Sequence, residues 1–390
     1  MFSTNFLSPG QAEALVSEHG APLFVYSREV LQRQARALRA IRMPYSFTAR
    51  YAMKANPHTD VLRVLQAEGV QIDASSAYEA MRALEIGFKP GEILLTSQQL
   101  AHNLQQLVER GAEFNATSLH QLESYGRLFP GTDVSVRLNP GIGSGHSAKT
   151  NVGGITSSFG IWHEHIPRIL ELCQQYDLTV TRMHTHIGSG TDPDVWQQAA
   201  RVSLQLIKQF PDASSINLGG GFKVGRLDNE KSPDMDAIGQ TIAGELMSFK
   251  LDTGRELRLE LEPGTLLVAN AGMLIAEVMD IVDTGSGGYK FLKLTTGMND
   301  ILRPSLYGAQ HPIAVLNDAN DQTEYVVVGH NCESGDLLSP EPGKPEVVRP
   351  RLLNTAAIGD LVLIGGTGAY CASMAAHGYN SFPSATEVIV

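Results

Sequence analysis

The stretch Arg50-Tyr-Ala-Met-Lys54-Ala-Asn56 is a strand-like apolar run that carries one lysine and ends where the chain turns, at Asn56-Pro57. Because the neighbours of Lys54 are apolar, the run predicts a lysine at a buried strand end. Burying an ammonium costs several kcal/mol unless the group is paired or loses its proton. A lysine held partly neutral is a nucleophile toward carbonyl compounds. The alternative is an edge-strand lysine whose amine reaches water.

Seven further strand-like runs follow this one along the chain. They lie at residues 70–76, 92–98, 113–119, 134–140, 180–188, 216–222 and 257–264. Segments with helical periodicity separate most of them, at residues 58–68, 100–110, 163–175 and 195–210. Eight strands alternating with helices predict an α/β fold, a parallel (β/α)8 TIM barrel rather than an open sheet.

After Gly264 the helical period gives way to short strands separated by turn signals. These strands are predicted at residues 272–283, 289–295, 313–316, 325–328, 346–348, 360–364 and 386–390. We therefore expect a barrel domain at 26–268 and a C-terminal β domain at 269–390. The N-terminal segment, residues 1–25, is expected to join the β domain, because a chain that enters and leaves a barrel tends to bring its termini together.

Composition restricts the function classes. The 390 residues are 43% hydrophobic and 18% charged, with a net charge of −11, so nucleic acid and acidic membrane surfaces are not expected partners. No run approaches the roughly eighteen apolar residues of a membrane span, and the first residues do not resemble a signal peptide. Three scattered cysteines favour a reducing, cytoplasmic setting.

Polar and glycine residues cluster at the carboxyl ends of the predicted barrel strands, where such barrels place their active sites. They are Lys54, Asp73, Ser97, Asn115, Asn139, His186, Gly219–Gly221 and Glu262. The loop at 141–160 is long and rich in Gly and Ser, and is a candidate for closing over the site.

His184 and His186 lie two residues apart, on the same face of a predicted strand. One hypothesis is a metal pair, since histidine is a common zinc ligand. A second is that one imidazole stacks on a flat cofactor. A third is a pair of hydrogen-bonded core histidines.

Two neighbouring segments are suited to binding charged groups, one to an anion and the other to a cation. Gly219-Gly220-Gly221 follows a strand and can present backbone N–H groups to a phosphate, together with Ser189 and the backbone of Glu262-Pro263-Gly264. Glu262 ends an apolar strand and needs a cationic or N–H partner, which a protonated heteroaromatic nitrogen or Arg137 would supply. With a nucleophilic lysine and an aromatic stacker, this set specifies pyridoxal phosphate and no metal.

Nine motifs, in order along the chain, carry a family resemblance: YAMKAN (51–56), NPG (139–141), HIGSG (186–190), NLGGGF (217–222), EPG (262–264), MNDILRPSLYG (298–308), CESGD (332–336), GAY (368–370) and YNS (379–381). The chain resembles the fold-type III pyridoxal-phosphate decarboxylases, whose barrel is alanine-racemase-like. Within them it is most similar to the diaminopimelate decarboxylases. By spacing alone, Cys332 could equally be a buried cysteine in a Ser-Gly-Asp turn.

The resemblance implies roles for individual residues. Lys54 would hold the cofactor covalently, and Cys332 would be a proton donor. The implied cofactor-binding residues are Lys54, Asp73, His186, Ser189, Gly219, Gly220, Gly221, Glu262, Gly264 and Tyr370. The implied substrate-binding residues are Arg303, Tyr307, Glu333 and Tyr379. Cys332 and Glu333 would enter from a partner subunit, which implies a homodimer with shared active sites.

Two positions depart from the diaminopimelate pattern. Thr265 stands where the family has arginine after EPG, and Phe382 stands where it continues YNSRP. The expected reaction is decarboxylation of meso-diaminopimelate, a small-molecule amino acid, to L-lysine and carbon dioxide. The alternatives are a paralogue acting on ornithine, lysine or a conjugated diamino acid, a metal-dependent barrel hydrolase using the two histidines, and a non-catalytic protein that binds pyridoxal phosphate.

Overall fold

The computed structural model describes residues 2, 5–142, 153–186 and 190–390. Contacts divide the chain into two compact units. The barrel unit comprises residues 32–223 and 232–266, and the β unit comprises residues 1–31, 224–231 and 267–390. Within these described ranges, no helix is both long enough and apolar enough to cross a membrane.

The described residues contain both helices and strands in a regular order. The strands are β1 (Leu23–Tyr26), β2 (Phe47–Ala52), β3 (Gln71–Ala74), β4 (Ile93–Leu95), β5 (Glu113–Ala116), β6 (Asp133–Asn139), β7 (Ile161–Trp162), β8 (Thr179–Thr185), β9 (Ser215–Asn217), β10 (Arg258–Leu261), β11 (Gly272–Asp283), β12 (Lys290–Leu294), β13 (Ile313–Leu316), β14 (Gln322–Val328), β15 (Pro340–Glu341), β16 (Lys344–Val348), β17 (Arg351–Asn354), β18 (Leu361–Gly365) and β19 (Thr386–Ile389). The α-helices are α1 (Pro9–His19), α2 (Arg28–Arg39), α3 (Thr59–Ala67), α4 (Ala77–Ile86), α5 (Leu104–Glu109), α6 (Leu119–Leu128), α7 (Ile166–Tyr176), α8 (Pro193–Ile207), α9 (Met235–Thr253), α10 (Thr265–Val268) and α11 (Arg303–Tyr307).

The barrel unit is a closed parallel sheet, which confirms the predicted fold. Strands β2, β3, β4, β5, β6, β8, β9 and β10 pair in that order, and β10 pairs with β2 to close the ring. Each of the eight predicted runs overlaps one of these strands. Helices cover the outer face and side chains fill the interior, so the strands are buried on both faces and read as apolar runs.

Local sequence signals explain helices that periodicity does not single out. At the start of α4, Ser76 Oγ accepts a hydrogen bond from the Glu79 N–H at 3.1 Å, and the Glu79 carboxylate accepts one from the Ser75 N–H at 2.6 Å. Ser118 and Gln121 repeat this arrangement at the start of α6. In both S-x-x-E/Q motifs the serine satisfies an otherwise unpaired amide of the first turn, and the Glu or Gln side chain binds the N–H of the residue before that serine.

The β unit is built around β11, which pairs antiparallel with β1, β12 and β18. Strand β1 also pairs in parallel with β19, so segments from both ends of the chain lie in one sheet. Its core includes Leu7, Ala12, Leu23, Val25, Met273, Ile275 and Leu363. The predicted strands of this region are present. Two short ones were not predicted, β15 and β17, because each lies beside a proline that weakens a strand signal.

Candidate active site

The predicted strand position of Lys54 is wrong. Strand β2 ends at Ala52, and Lys54 lies in a single 3-10 turn, Met53–Ala55, that follows directly. The Tyr51 hydroxyl donates a hydrogen bond to the Asn56 carbonyl at 3.0 Å and so ties the end of the strand to the residue after the turn. The other two residues of the turn are buried, but the Lys54 side chain is exposed. The expected burial of the amine is therefore also wrong.

The structure brings Lys54 together with three other predicted residues. Burial has the largest effect on the pKa of Asp73, His186 and Glu262, and the positive charge of Lys54 also acts on all three. These residues follow or end different strands of the barrel. They meet because the carboxyl ends of parallel barrel strands lie at one end of the barrel.

Glu262 is the buried carboxyl of this cluster. Its Oε1 accepts a hydrogen bond from Asn217 Nδ2 at 2.6 Å, and its Oε2 lies 3.3 Å from His184 Nε2. Burial, and next the charge of Asp73, raise the pKa of Glu262 to about 8, against the opposing effects of Asn217 and nearby cations. Glu262 therefore keeps its proton near neutral pH, and it can give that proton up to a base or when a cation approaches.

His184 is a neutral, fully buried imidazole. Burial, followed by the charges of Arg137 and other neighbours, holds its pKa well below the ordinary value. Asn115 Nδ2 lies 2.7 Å from His184 Nδ1, and with the amide nitrogen as donor the imidazole proton is assigned to Nε2, on the side of Glu262. Over the described ranges, no three His, Cys, Asp or Glu side chains are grouped so that they could hold a metal.

The glycine loop is required by close packing against its neighbours. A Cβ atom on Gly219, whose φ is +70°, would lie 2.8 Å from His186 Cγ. A Cβ atom on Gly220 would lie 2.1 Å from the Glu262 carbonyl oxygen. Gly221 has a φ of +101°, which favours glycine. The loop therefore approaches His186 and Glu262 with bare backbone.

Two further carboxyl groups near Lys54 have raised pKa values. Burial is the main cause for Asp73, whose Oδ1 is buried and makes no hydrogen bond to any described residue. Burial also raises the pKa of Glu79 to about 7. Sequence reasoning did not identify Glu79 or Asn217 as site residues. The capping motif marks Glu79, and the alternation of strand β9 places Asn217 two residues before the predicted Gly219.

Four charged residues on strands β2, β5, β8 and β10 lie nearer the amino ends of the barrel strands than this cluster does. Glu260 accepts hydrogen bonds from Arg50 Nε at 2.9 Å and from Arg182 Nε at 3.0 Å. Glu113 Oε2 accepts from the same two arginines, at 2.6 and 3.0 Å. Although burial alone would raise it, the pKa of Glu260 is lowered by the two guanidinium groups. We call these four residues the ion ring.

The β unit brings three other predicted residues together. Tyr379 Oη donates to Glu333 Oε2 at 3.3 Å, and the Cys332 N–H donates to Asn380 Oδ1 at 2.7 Å. Asn380 follows Tyr379 directly, so Cys332, Glu333 and Tyr379 form one cluster, in which Cys332 and Glu333 are exposed and Tyr379 is half-buried. The alternative of a buried Cys332 is therefore wrong.

The remaining predicted residues are placed as follows. Arg303 Nη1 lies 2.9 Å from His311 Nε2, and the Tyr307 hydroxyl lies 3.9 Å from Met374 Sδ. Tyr370 has a left-handed φ of +56°. Gly264 is buried in the barrel unit. Ser189 and residues 143–152 of the predicted closing loop lie outside the described residues.

The barrel-end cluster fits pyridoxal phosphate. An amine is available for its aldehyde, a buried carboxyl for its ring nitrogen, a neutral imidazole for its ring, and bare glycine backbone for its phosphate. A (β/α)8 barrel with this set at the carboxyl ends of its strands defines a pyridoxal-phosphate enzyme.

Comparison with known proteins agrees with this class. Residues 27–269 match the family described as pyridoxal-dependent decarboxylase, pyridoxal binding domain. The chain is 37% identical to a diaminopimelate decarboxylase of Streptomyces coelicolor over 388 residues, covering 97% of this chain and 86% of the relative. It is 34% identical to that of Escherichia coli over 402 residues, covering 100% and 93%.

Solved structures give the same result. A crystal structure of a diaminopimelate decarboxylase aligns with a TM-score of 0.91 at 33% identity, covering 98% of this chain and 92% of the other. The Helicobacter pylori enzyme complexed with L-lysine aligns with a TM-score of 0.85 at 27% identity, covering 97% and 93%. The chain belongs to the pyridoxal-dependent decarboxylases, and within them to the diaminopimelate decarboxylase family.

Proposed function

We infer that this chain is a pyridoxal-phosphate-dependent carboxy-lyase that converts meso-diaminopimelate to L-lysine and carbon dioxide, a step of lysine biosynthesis. One observation carries this conclusion. Lys54 and the proton-holding Glu262 meet at the active end of a (β/α)8 barrel, in a chain 37% identical over 97% of its length to a diaminopimelate decarboxylase.

The barrel residues hold and tune the cofactor in this proposal. Lys54 would hold the cofactor covalently through its amine and would give up this place to the amine of the substrate. When bound, pyridoxal phosphate supplies the electron sink that lets an amino acid lose carbon dioxide. Glu262 holds a proton at its carboxyl for the ring nitrogen, and His186 covers the ring. This role suits a carboxyl whose pKa is raised to about 8 and whose second oxygen faces a neutral imidazole.

Other residues position the phosphate and the substrate. We assign the phosphate to the backbone of Gly219, Gly220, Gly221 and Gly264, with Ser189 and Tyr370. Asp73 adds a negative charge near Lys54. We assign the substrate to Arg303, Tyr307, Glu333 and Tyr379, and the returning proton to Cys332.

We further propose that the enzyme is a homodimer in which Cys332 and Glu333 complete the partner's site, and that it acts in the cytoplasm. Both residues are exposed in the isolated subunit, as a contribution to a neighbour's site requires. The boundaries 1–25, 26–268 and 269–390 are proposed for its domains.

The test of the reaction is release of carbon dioxide from a panel of diamino acids. We expect a preference for meso-diaminopimelate over lysine and ornithine of at least about a hundredfold in kcat/KM, because decarboxylation of lysine or ornithine would leave the half-buried Arg303 without an anion. Comparable turnover of lysine or ornithine would keep the decarboxylase assignment and overturn the substrate.

The test of the shared site is mixing of inactive subunits. Lys54→Ala and Cys332→Ala protomers should together recover activity at about a quarter of all sites after random exchange into symmetric dimers. The matched control mixes Lys54→Ala with Glu262→Gln, which lie in the same barrel and should not complement. No recovery after verified exchange in the first mixture would place Lys54 and Cys332 in one subunit.

A further inference from the structure

Arg226 is a buried arginine that sequence reasoning did not use. It lies in residues 224–231, the excursion of the chain that belongs to the β unit, and it is 5% exposed. Its Nε donates to the Gly366 carbonyl at 3.0 Å. Its Nη2 is buried and makes no hydrogen bond to any described residue. A buried guanidinium N–H without an acceptor costs free energy, so an acceptor is expected there.

A second arginine is anchored beside it. Arg303 Nη1 donates to His311 Nε2 at 2.9 Å, and His311 Nδ1 donates to the Gly365 carbonyl at 2.9 Å. Burial and the charges of Arg303 and Arg226 hold the pKa of His311 well below its ordinary value, so this imidazole is neutral. The two guanidinium groups are therefore fixed, one directly and one through His311, to the consecutive carbonyls of Gly365 and Gly366.

No described carboxylate forms an ion pair with either guanidinium. Burial and the charge of Arg303 lower the pKa of Arg226 to about 9. Glu230 is the nearby acidic residue, but its Oε2 accepts the backbone N–H groups of Arg226 and Leu227, at 2.8 and 3.3 Å. Burial raises the pKa of the Cys371 thiol to about 11, so this group stays neutral. Two neighbouring cations without a counter-ion favour an oxyanion.

Packing fixes the position of Arg226. A Cβ atom on Gly366, whose φ is +65°, would lie 2.8 Å from Arg226 Cδ and Cγ. The arginine stem therefore lies flat on a glycine, and its guanidinium has few alternative positions. A guanidinium held in this way loses little conformational entropy when it binds a planar oxyanion.

We propose that Arg226 and Arg303 form one oxyanion subsite, and that its occupant in catalysis is the carboxylate at the intact end of the substrate. The inference rests on the proposed function and deepens it. Arg226 adds a second guanidinium beside Arg303, to which the proposed function assigns the substrate. Arg226 is thus a specificity-determining residue of this chain.

The test uses two ligands that differ by one carboxylate. Lysine keeps the intact-end carboxylate of diaminopimelate, whereas cadaverine has the same chain and amines without it. Their affinities for the holoenzyme are measured by titration calorimetry. Arg226→Gln should weaken the affinity for lysine by about tenfold or more and change the affinity for cadaverine by less than about twofold. The reason is that a charge-assisted contact is lost only for lysine. Arg226→Lys keeps the positive charge and the aliphatic stem, so its affinity for lysine should lie between those of wild type and Arg226→Gln. If Arg226→Gln does not fold, Arg226→Lys is used for the test instead.

The matched control is Arg349→Gln, an arginine of the same unit with a half-exposed side chain, which should leave both affinities unchanged. Equal losses for lysine and cadaverine, or no loss for either, would overturn the proposal. Weakened retention of pyridoxal phosphate with unchanged lysine affinity would assign the oxyanion to the cofactor phosphate and overturn it as well. If wild type binds lysine through Arg226 but releases no carbon dioxide from diaminopimelate, the reaction assignment falls and the subsite stands.

Discussion

Glu260 and Glu262 lie two residues apart at the end of one barrel strand, are both buried, and differ in their protonation. Glu260 is bound by two arginines of the ion ring, and its pKa is lowered. Glu262 is bound by an amide and faces a neutral imidazole, and its pKa is raised to about 8. Burial is common to both, so the partners decide the charge.

Glu260 and Glu262 therefore belong to two different layers of the barrel. The ion ring around Glu260 is a structural layer, and the group around Glu262 is a layer suited to chemistry. In the ion ring two positive and two negative groups compensate each other, so no group can change its charge without leaving its partners unpaired. In the layer of Glu262, the neutral side chains of Asn217 and His184 stabilise the carboxyl group without fixing its ionisation. A proton can then be held or released there at neutral pH, as acid–base chemistry requires.

The largest expected effect is at Lys54, to which we assign the covalent attachment of the cofactor. Lys54→Ala should lower decarboxylation by about a thousandfold or more, because no other group replaces its amine. Its free energy of unfolding should change by less than about 1 kcal/mol, since the side chain is exposed. Carbon dioxide release and urea unfolding measure the two quantities, and visible absorption reports whether the cofactor is attached. Lys208→Ala, which removes a surface ion pair with Asp252, is the control.

A pair of matched substitutions tests the two layers directly. Glu260→Gln should lower the free energy of unfolding by about 3–5 kcal/mol, because two buried arginines lose their shared partner. Glu262→Gln should not lower it, and near neutral pH should raise it, because the amide needs no proton to stay neutral in the folded state. The same variant should reduce kcat by about a hundredfold. Urea unfolding and steady-state kinetics measure both. Similar stability losses for the two variants would show that the layers do not differ as described.

The same pair should differ in pH dependence after cofactor removal. The folded pKa of Glu262, about 8, lies above its ordinary value of 4.5, so the folded state binds more protons between these values. The contribution of Glu262 to the free energy of unfolding is fully present below about pH 4.5 and is lost as pH rises to about 8. The total loss amounts to a few kcal/mol at most. Glu262→Gln should flatten this slope. The pKa of Glu260 is lowered, so its effect on stability has the opposite sign. Its contribution to the free energy of unfolding is lost as pH falls. A wild-type slope that Glu262→Gln leaves unchanged would contradict this account.

The smallest effect is expected at Asn217. Asn217→Asp keeps the oxygen that accepts the Gly219 N–H at 2.8 Å but removes the donor to Glu262. We expect about a tenfold loss of kcat and a shift of the pH–rate profile, because the protonation of Glu262 changes. Ser215→Ala, two residues earlier on the same strand, is the control. An unaltered pH–rate profile would show that Asn217 does not control the protonation of Glu262.

Much of the fold followed from local patterns. Eight apolar runs separated by helical periods predicted the closed parallel barrel, and each run overlaps a strand of it. The patterns failed where neighbouring residues in sequence were a poor guide to exposure. Apolar neighbours predicted a buried Lys54, but the 3-10 turn after β2 exposes its side chain while burying theirs.

The sequence by itself determined the barrel and the set of chemical groups at the ends of its strands, because hydrophobic period and turn chemistry act over a few residues. Only the tertiary structure decided which of those groups share a partner. Arg50 and Glu260 are 210 residues apart, and Arg226 and Gly366 are 140 apart, yet each pair is hydrogen-bonded. Charge states depend on such non-local neighbours and on burial, which is why the contrast between Glu260 and Glu262 and the unpaired Arg226 became visible only in the folded chain.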